Sequence, residues 1–100
     1  MALRFEPDRV VYDPDEGLLR LFATDGLRLV RCAISKAALT ALEDDALAGP
    51  DAMITTYRRN RERIQEIAQR KYRHRRFEPG GSLVIRLDDV DVARLATSVA

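Results

Sequence analysis

An amphipathic pattern over residues 50–74 constrains the fold of this chain more than any other feature. Long side chains and Ala recur there at spacings of four, seven, four and three residues: Met53, Tyr57, Ile64, Ala68 and Lys71. This spacing places them on one side of an α-helix. Pro50 suits the first helical position, and Asp51 complements the helix dipole in the first turn. The pattern predicts a single unbroken helix of roughly 35 Å whose apolar side packs on a sheet.

Two alternating apolar segments, residues 18–24 and 27–34, are separated by Asp25-Gly26. Asp-Gly between such segments predicts a β-hairpin with a type I′ turn, because that turn needs a positive φ at both central residues. In the second segment Arg28 and Arg31 lie three residues apart, which breaks the strict alternation. That break suggests a β-bulge in the second strand of the hairpin.

The other elements are predicted from local signals. A strand is predicted at residues 10–12, with a turn at residues 13–17, and a helix at Lys36–Leu42, with Ser35 as its N-cap. An acidic connector follows at Glu43–Gly49, and a strand is predicted at residues 82–87, after the break at Pro79-Gly80-Gly81. The last element is a helix that is capped by Asp88, Asp89 and Asp91 and that has Val92, Leu95, Ala96 and Val99 on one face. The order βββααβα predicts a single α+β domain over residues 1–100, with an antiparallel sheet packed by one long and one short helix.

The predicted core lies between this sheet and the helices. It contains Val11, Leu19, Leu21, Val30, Cys32, Ile34, Leu39, Leu42, Met53, Tyr57, Ile64, Ile67, Ala68, Leu83 and Ile85. Because the chain has no Trp and only 6% aromatic residues, aliphatic side chains must supply most of the buried surface.

Two short motifs occur beside the predicted helices. Cys32-Ala33-Ile34-Ser35 precedes the first helix, and Asn60-Arg61 followed by Ile64 lies on the second. Together with the hairpin and the glycine break, they resemble a family of small bacterial proteins catalogued as domain of unknown function 1488, over about Phe5 to Val90. The resemblance implies an α+β fold with an antiparallel sheet backed by helices, and it implies no assigned activity.

The charge is divided unevenly along the chain. Residues 58–76 hold nine cations and two acids, a net charge of +7, and the remaining eight cations and 14 acids give −6. The excess is concentrated near the predicted helix end, in the five cations Arg70, Lys71, Arg73, Arg75 and Arg76, which surround Tyr72. A solvated face explains it, since cations at a helix C-terminus stabilise the helix by about 0.3–1 kcal/mol each. The alternative is nucleic-acid binding, with Tyr72 or Phe77 as a stacking platform.

Asn60 and Arg61 are expected on the inward edges of the same helix. We interpret them as a structural polar pair that fixes the helix position, with Arg61 paired to an acid such as Asp88 or Glu43. A sharper alternative is an anion pocket that Arg61 forms with Arg31.

The sequence supports no catalytic or metal chemistry. Cys32 is predicted to be a buried apolar residue, and the single histidine, His74, is expected too far from it to act as a base. One Cys and one His do not make a zinc site, and the three acids near residue 90 lack the glycine and the spacing of a calcium loop. We therefore expect a protein that is not an enzyme and has no cofactor.

The function that the sequence favours is binding of another protein. A small core and an open sheet edge suit a protein-interaction module whose partner is an unknown protein or a second copy of the chain. Nucleic acid is the alternative partner. A single Cys and the absence of a long apolar segment lead us to expect a cytoplasmic protein that has no membrane partner.

Overall fold

The computed structural model of the chain describes residues 3–42 and 49–91. Its elements, in chain order, are β1 (Arg4–Asp13), β2 (Leu18–Asp25), β3 (Arg28–Ser35), α1 (Lys36–Leu42), α2 (Pro50–Arg59), α3 (Arg61–Arg73), β4 (Leu83–Ile85) and α4, a helical segment at residues 87–91. The predicted α+β class is confirmed. Residues 43–48 of the predicted acidic connector, and Val92, Leu95, Ala96 and Val99 of the predicted last helix, lie outside the described residues.

The four strands form one sheet in the order β1-β2-β3-β4. β1, β2 and β3 pair antiparallel, as predicted, but β4 runs parallel to β3, with Cys32 opposite Leu83. The antiparallel prediction is therefore wrong for the last strand. The cause is the connection, because α1, α2 and α3 carry the chain across the sheet and return it to the end where β3 begins.

The β2–β3 hairpin forms, but its turn differs from the prediction. Asp25 pairs with Arg28, so the two central residues are Gly26 and Leu27. Gly26 has φ 63°, and Leu27 is not among the described non-glycine residues with positive φ. A positive φ at the first central residue alone is the pattern of a type II′ turn, and not of the type I′ turn expected from Asp25-Gly26.

The β-bulge lies in β1 and not in β3. β3 pairs with β2 without a shift, whereas the β1 register jumps between Phe5, which faces Ala23, and Val10, which faces Leu21. The bulge decides which β1 side chains face the core. Val11 lies opposite Arg20 and is 50% exposed, so its predicted place in the core is wrong.

The predicted unbroken helix over residues 50–74 is interrupted at Asn60. This residue has φ −112° and ψ 17°, which ends α2 and precedes α3. Its side-chain Nδ2 donates a hydrogen bond to the backbone oxygen of Thr56 at 2.9 Å, a local bond that competes with regular helix geometry. The backbone oxygen of Asn60 still accepts the N–H of Ile64 at 3.0 Å, so the interruption is confined to one residue.

The apolar side of both helices packs on one face of the sheet. The predicted core residues that are buried are Leu19, Leu21, Val30, Cys32, Ile34, Leu39, Met53, Tyr57, Ile64, Ile67, Ala68, Leu83 and Ile85, and Leu42 is partly buried beside them. Leu3, Ala23, Ala38 and Val90 join the same core without having been predicted. Spacings of three, four and seven residues thus identified the buried side, although the helix is not continuous.

Two polar side chains of α3 fix that helix against the rest of the fold. The amide of Gln69 accepts the backbone N–H of Leu3 at 2.9 Å and donates to its oxygen at 2.6 Å. The ammonium of Lys71 donates to the backbone oxygen of Val84 at 2.7 Å and to Asp89 Oδ2 at 2.8 Å. Lys71 is 9% exposed, so this ion pair lies inside the fold.

Asp89 also forms the predicted cap of the last helix. Its Oδ2 accepts the backbone N–H of Arg86 at 2.8 Å, three residues before it. This is half of a capping box, in which the third helical residue satisfies the N-cap N–H. Ser35 is confirmed as the N-cap of α1, since its Oγ accepts the N–H of Ala38 at 3.1 Å. None of the described helices is long and apolar enough to span a membrane.

Replacement of Gly26 by Ala should lower the free energy of unfolding by about 1 kcal/mol, because Ala rarely adopts the left-handed backbone of this turn. A methyl group at Gly26 would meet no neighbouring atom, so the cost is conformational. Urea unfolding measures it. Gly80→Ala is the control, because Gly80 is not left-handed and also has open space around it. Equal effects of the two substitutions would contradict the assigned turn.

Replacement of Lys71 by Met should lower the free energy of unfolding by about 3 kcal/mol, because it leaves the carboxylate of Asp89 partly buried without its cation. Addition of Asp89→Asn to that variant should recover part of the loss, since the uncompensated charge is then absent. Exposed Arg63 provides the control, and Arg63→Met should change the stability by less than about 0.5 kcal/mol. Additive losses for Lys71 and Asp89 would show that the ion pair contributes nothing.

Candidate anion-binding surface

The C-terminus of α3 places a cluster of arginines beside the β2–β3 hairpin. His74 is the C-cap, the N–H of Arg75 bonds to the oxygen of Tyr72 at 3.1 Å, and the N–H of Arg76 bonds to that of Lys71 at 3.0 Å. These two bonds define a Schellman motif, which needs a left-handed residue at the position of Arg75. Arg75 has φ 56°. Glycine is usual there, and any other residue costs about 1–2 kcal/mol.

Tyr72 connects this helix end to the hairpin. Its hydroxyl donates a hydrogen bond to Asp25 Oδ2 at 2.5 Å, and its ring packs edge-on with Phe77, with centroids 5.9 Å apart. The hydrogen bond to Asp25, and then burial, raise the pKa of Tyr72, while Arg28 and Arg75 act in the opposite direction. The carboxylate of Asp25 is thus engaged by a neutral phenol, and two guanidinium groups lie near enough to affect that phenol.

Two adjoining cavities open on this side of the molecule. The larger, of about 470 Å³, is lined by Asp25, Arg28, Tyr72, Arg73, Arg75 and Phe77. The smaller, of about 220 Å³, follows the edge of β3 and is lined by Arg28, Leu29, Val30, Arg31, Tyr72, Phe77, Gly80 and Gly81. Because both share Arg28, Tyr72 and Phe77, they form one surface. We call Arg28, Arg31, Arg73 and Arg75, with the rings of Tyr72 and Phe77, the arginine face.

The arginine face keeps its positive charge. None of its four arginines forms an ion pair with an acid in the described part of the chain. Glu78, the acid nearest in sequence to Phe77, instead pairs with Arg86 at 2.7 Å, and that hydrogen bond lowers the pKa of Glu78. Asp25 is the one acid among the described residues that lines either cavity, so cations are in excess over acids in this part of the structure.

The candidate nucleic-acid-binding residues separate into three groups. Arg73 and Arg75 belong to the arginine face, and Arg70 and Arg76 are exposed but line neither cavity. Tyr72 is half-buried and held by Asp25. Lys71 must be withdrawn from the set, because its ammonium is bonded inside the fold and cannot reach a phosphate. The sequence pattern had placed Lys71 on the inward side of the helix, and the structure confirms that position.

The polar pair at the interruption of the helix differs from its prediction. Asn60 is half-buried and bonds to Thr56, but Arg61 is exposed, so the inward position predicted for Arg61 is wrong. The break at Asn60 changes the direction in which Arg61 emerges. Asp88 forms no ion pair with Arg61, and Glu43 lies outside the described residues. The described cavity that Arg61 lines is not the one that Arg31 lines, so the alternative anion pocket stays a prediction.

Cys32 lies inside the core, as predicted. Its Sγ donates to the backbone oxygen of Val30 at 3.8 Å, and burial raises the pKa of the thiol to about 11. His74 is exposed at the C-cap of α3. The described residues contain no group of three or more His, Cys, Asp or Glu side chains that could hold a metal ion.

Sequence reasoning left two arginines out of the predicted basic cluster: Arg31 was considered only for a pocket with Arg61, and Arg28 was assigned to no binding site. The signal that would have found Arg28 is the direction of β4. A last strand parallel to β3 requires the preceding helix to end where β3 begins, which brings Arg73 beside Arg28. The assumption of an antiparallel β4 removed that clue.

Comparison with known proteins identifies the family of the chain. A family model described as "Protein of unknown function (DUF1488)" matches residues 3–85. A crystal structure of a protein of unknown function from the DUF1488 family of Shewanella loihica PV-4 is similar in fold, with a TM-score of 0.79, 15% identity, and coverage of 84% of this chain and 91% of that one. The search of curated proteins gave no match. Since the family model spans most of the chain, the resemblance noted in the sequence is confirmed, and the chain belongs to the DUF1488 family.

Proposed function

We propose that this protein acts by binding an anionic partner through the arginine face, and not by catalysis. The observation that carries the proposal is the collection of Arg28, Arg31, Arg73 and Arg75 around two aromatic rings, where none of the four pairs with an acid among residues 3–42 and 49–91. Like charges held together repel one another, which opposes the gain from placing cations at the C-terminus of α3, and a bound ligand of opposite charge would relieve that repulsion. Support for the non-catalytic part comes from Cys32, whose thiol is buried and protonated at neutral pH.

Nucleic acid is the partner that this surface fits best. Phosphates supply regularly spaced negative charge, and Arg binds them with a planar fork of donors. Phe77, which is 39% exposed, adds an aromatic surface beside the arginines. Sequence reasoning ranked a protein partner first. Nucleic acid takes the first place because Arg28 and Arg31 enlarge the basic cluster. In addition, the two acids of the basic segment, Glu62 and Glu66, form no ion pair with its arginines in the described part of the chain.

Self-association is the second candidate, and the open edge of β3 favours it. β4 covers only Cys32 to Ile34, so the preceding part of β3 pairs with no strand of the described residues on that side. In an antiparallel hairpin, successive residues direct their backbone N–H and C=O alternately toward the paired strand and away from it. Because Arg28 pairs with Asp25 at the turn, the N–H and C=O of Leu29 point away from β2, to the open edge, and the Leu29 side chain is 63% exposed. A strand from a second copy could pair there.

We also propose that the protein is located in the cytoplasm, in keeping with a single buried Cys.

Binding of nucleic acid should weaken steeply with salt. If each arginine of the face meets one phosphate, the slope of log K against log salt is about −2.8 for a single strand and about −3.6 for a duplex. Affinity should therefore fall about fiftyfold for a single strand and about 150-fold for a duplex between about 50 and 200 mM salt. Fluorescence anisotropy with labelled oligonucleotides measures both. Arg73→Gln should reduce the slope by about one, whereas the exposed Arg63→Gln should leave it unchanged. Failure to bind any oligonucleotide at low salt would remove this candidate.

Self-association should appear as a mass that rises with protein concentration in size-exclusion chromatography with light scattering. Leu29→Pro should reduce it, since proline removes an N–H that points to the open edge and not to β2. Circular dichroism verifies that the variant folds. A monomer at every concentration, with wild-type and variant alike, would argue against a second copy as partner.

A further inference from the structure

We propose that the ligand class of the arginine face is single-stranded nucleic acid, with one nucleotide held in the larger cavity. Its phosphate would lie among Arg28, Arg73 and Arg75, and its base against Phe77. The inference rests on the proposed nucleic-acid binding and states which form of nucleic acid is bound.

The composition of the larger cavity matches the two halves of a nucleotide. Three guanidinium groups line it together with two aromatic rings, and its volume of about 470 Å³ lies within the usual range for small-molecule sites of about 300–1,000 Å³. The carboxylate that lines it, Asp25, is already engaged by the hydroxyl of Tyr72. A phosphate therefore meets cations on several sides, and a base finds an exposed aromatic ring within the same cavity.

The residue at the left-handed position strengthens this assignment. The Schellman motif explains why residue 75 has a positive φ, but it does not explain why that residue is an arginine. Glycine satisfies the same backbone without strain. A strained residue whose side chain lines a cavity is a candidate for function, because the chain retains the strain where a simpler residue would fold better.

The shape of the site selects a single strand over a duplex. Phe77 borders both cavities, and a base reaches its ring only when it is free of its own stacking neighbours. In a duplex the base faces are stacked and paired, so only phosphates would reach the arginines. The exposed Leu27 and Leu29 border Arg28 along the hairpin, and they offer apolar surface to bases and sugars rather than to phosphates.

The test compares one labelled sequence as a single strand and as a duplex, at matched salt, by fluorescence anisotropy. Wild-type protein should bind the single strand at least about tenfold more tightly, because one base–aromatic stack alone accounts for a factor of this order. Phe77→Leu should weaken the single strand about tenfold and leave the duplex unchanged. Equal affinities for the two forms, together with no effect of Phe77→Leu, would overturn the inference while leaving nucleic-acid binding in place.

Arg75→Gly isolates the role of the left-handed arginine. Because glycine relieves the backbone, this variant should melt at the same temperature as wild-type protein or a higher one, yet bind the single strand about tenfold more weakly. Arg63→Gln, on an exposed part of α3 outside the face, is the matched control and should bind normally. Undiminished binding by Arg75→Gly would overturn the inference.

A competition experiment distinguishes a single strand from a free nucleotide as the ligand. A nucleoside monophosphate should displace the labelled strand only at a concentration far above the strand's own dissociation constant. Displacement at a similar concentration would overturn the strand as ligand and indicate a free nucleotide. If no oligonucleotide of either form binds at low salt, the proposed function itself fails, which differs from every outcome above.

Discussion

The burial of Lys71 determines how the end of α3 meets the sheet. Its ammonium bonds to a β4 carbonyl and to Asp89, so α3, β4 and α4 are held at one point. Successive residues of a helix are rotated by about 100°, so an inward Lys71 fixes where its neighbours point. Tyr72 then faces the hairpin and reaches Asp25, and Arg73 remains exposed. The arginine face thus depends on an interior ion pair that itself takes no part in the face.

The interruption at Asn60 separates two parts of the helical prediction. The prediction of one unbroken helix is wrong. The apolar side nevertheless remains continuous, because Tyr57 and Ile64 are seven residues apart and lie two turns from each other across the break. What positions both helices on the sheet is this shared buried side. The arginines near residue 75 lie in α3 and after it, so a break before α3 leaves their arrangement intact.

The sequence predicted local structure well and long-range geometry poorly, for a physical reason. Alternation and helical spacing report which side of an element is apolar, and this information located the hairpin, the helices and most of the core. Strand direction and register depend on how distant elements meet. The parallel pairing of β4 and the β1 bulge that turns Val11 outward are of this kind. Arg28 was missed for the same reason, because its position beside Arg73 depends on the path of the chain through α1, α2 and α3 to the end of the sheet where β3 begins.

The fold pairs some of the charged residues and leaves others exposed. Acids with structural roles are matched one by one, Asp13 with Arg20, Glu78 with Arg86 and Asp89 with Lys71. Each of these pairs connects neighbouring parts of the fold. The arginine face receives none of these acids, although Glu78 follows Phe77 directly in the chain. Guanidinium groups that no described acid pairs with, one of them on a strained backbone, cost the free protein stability. An anionic partner would recover that cost on binding, and this is the physical basis of the proposal that the face binds an anion.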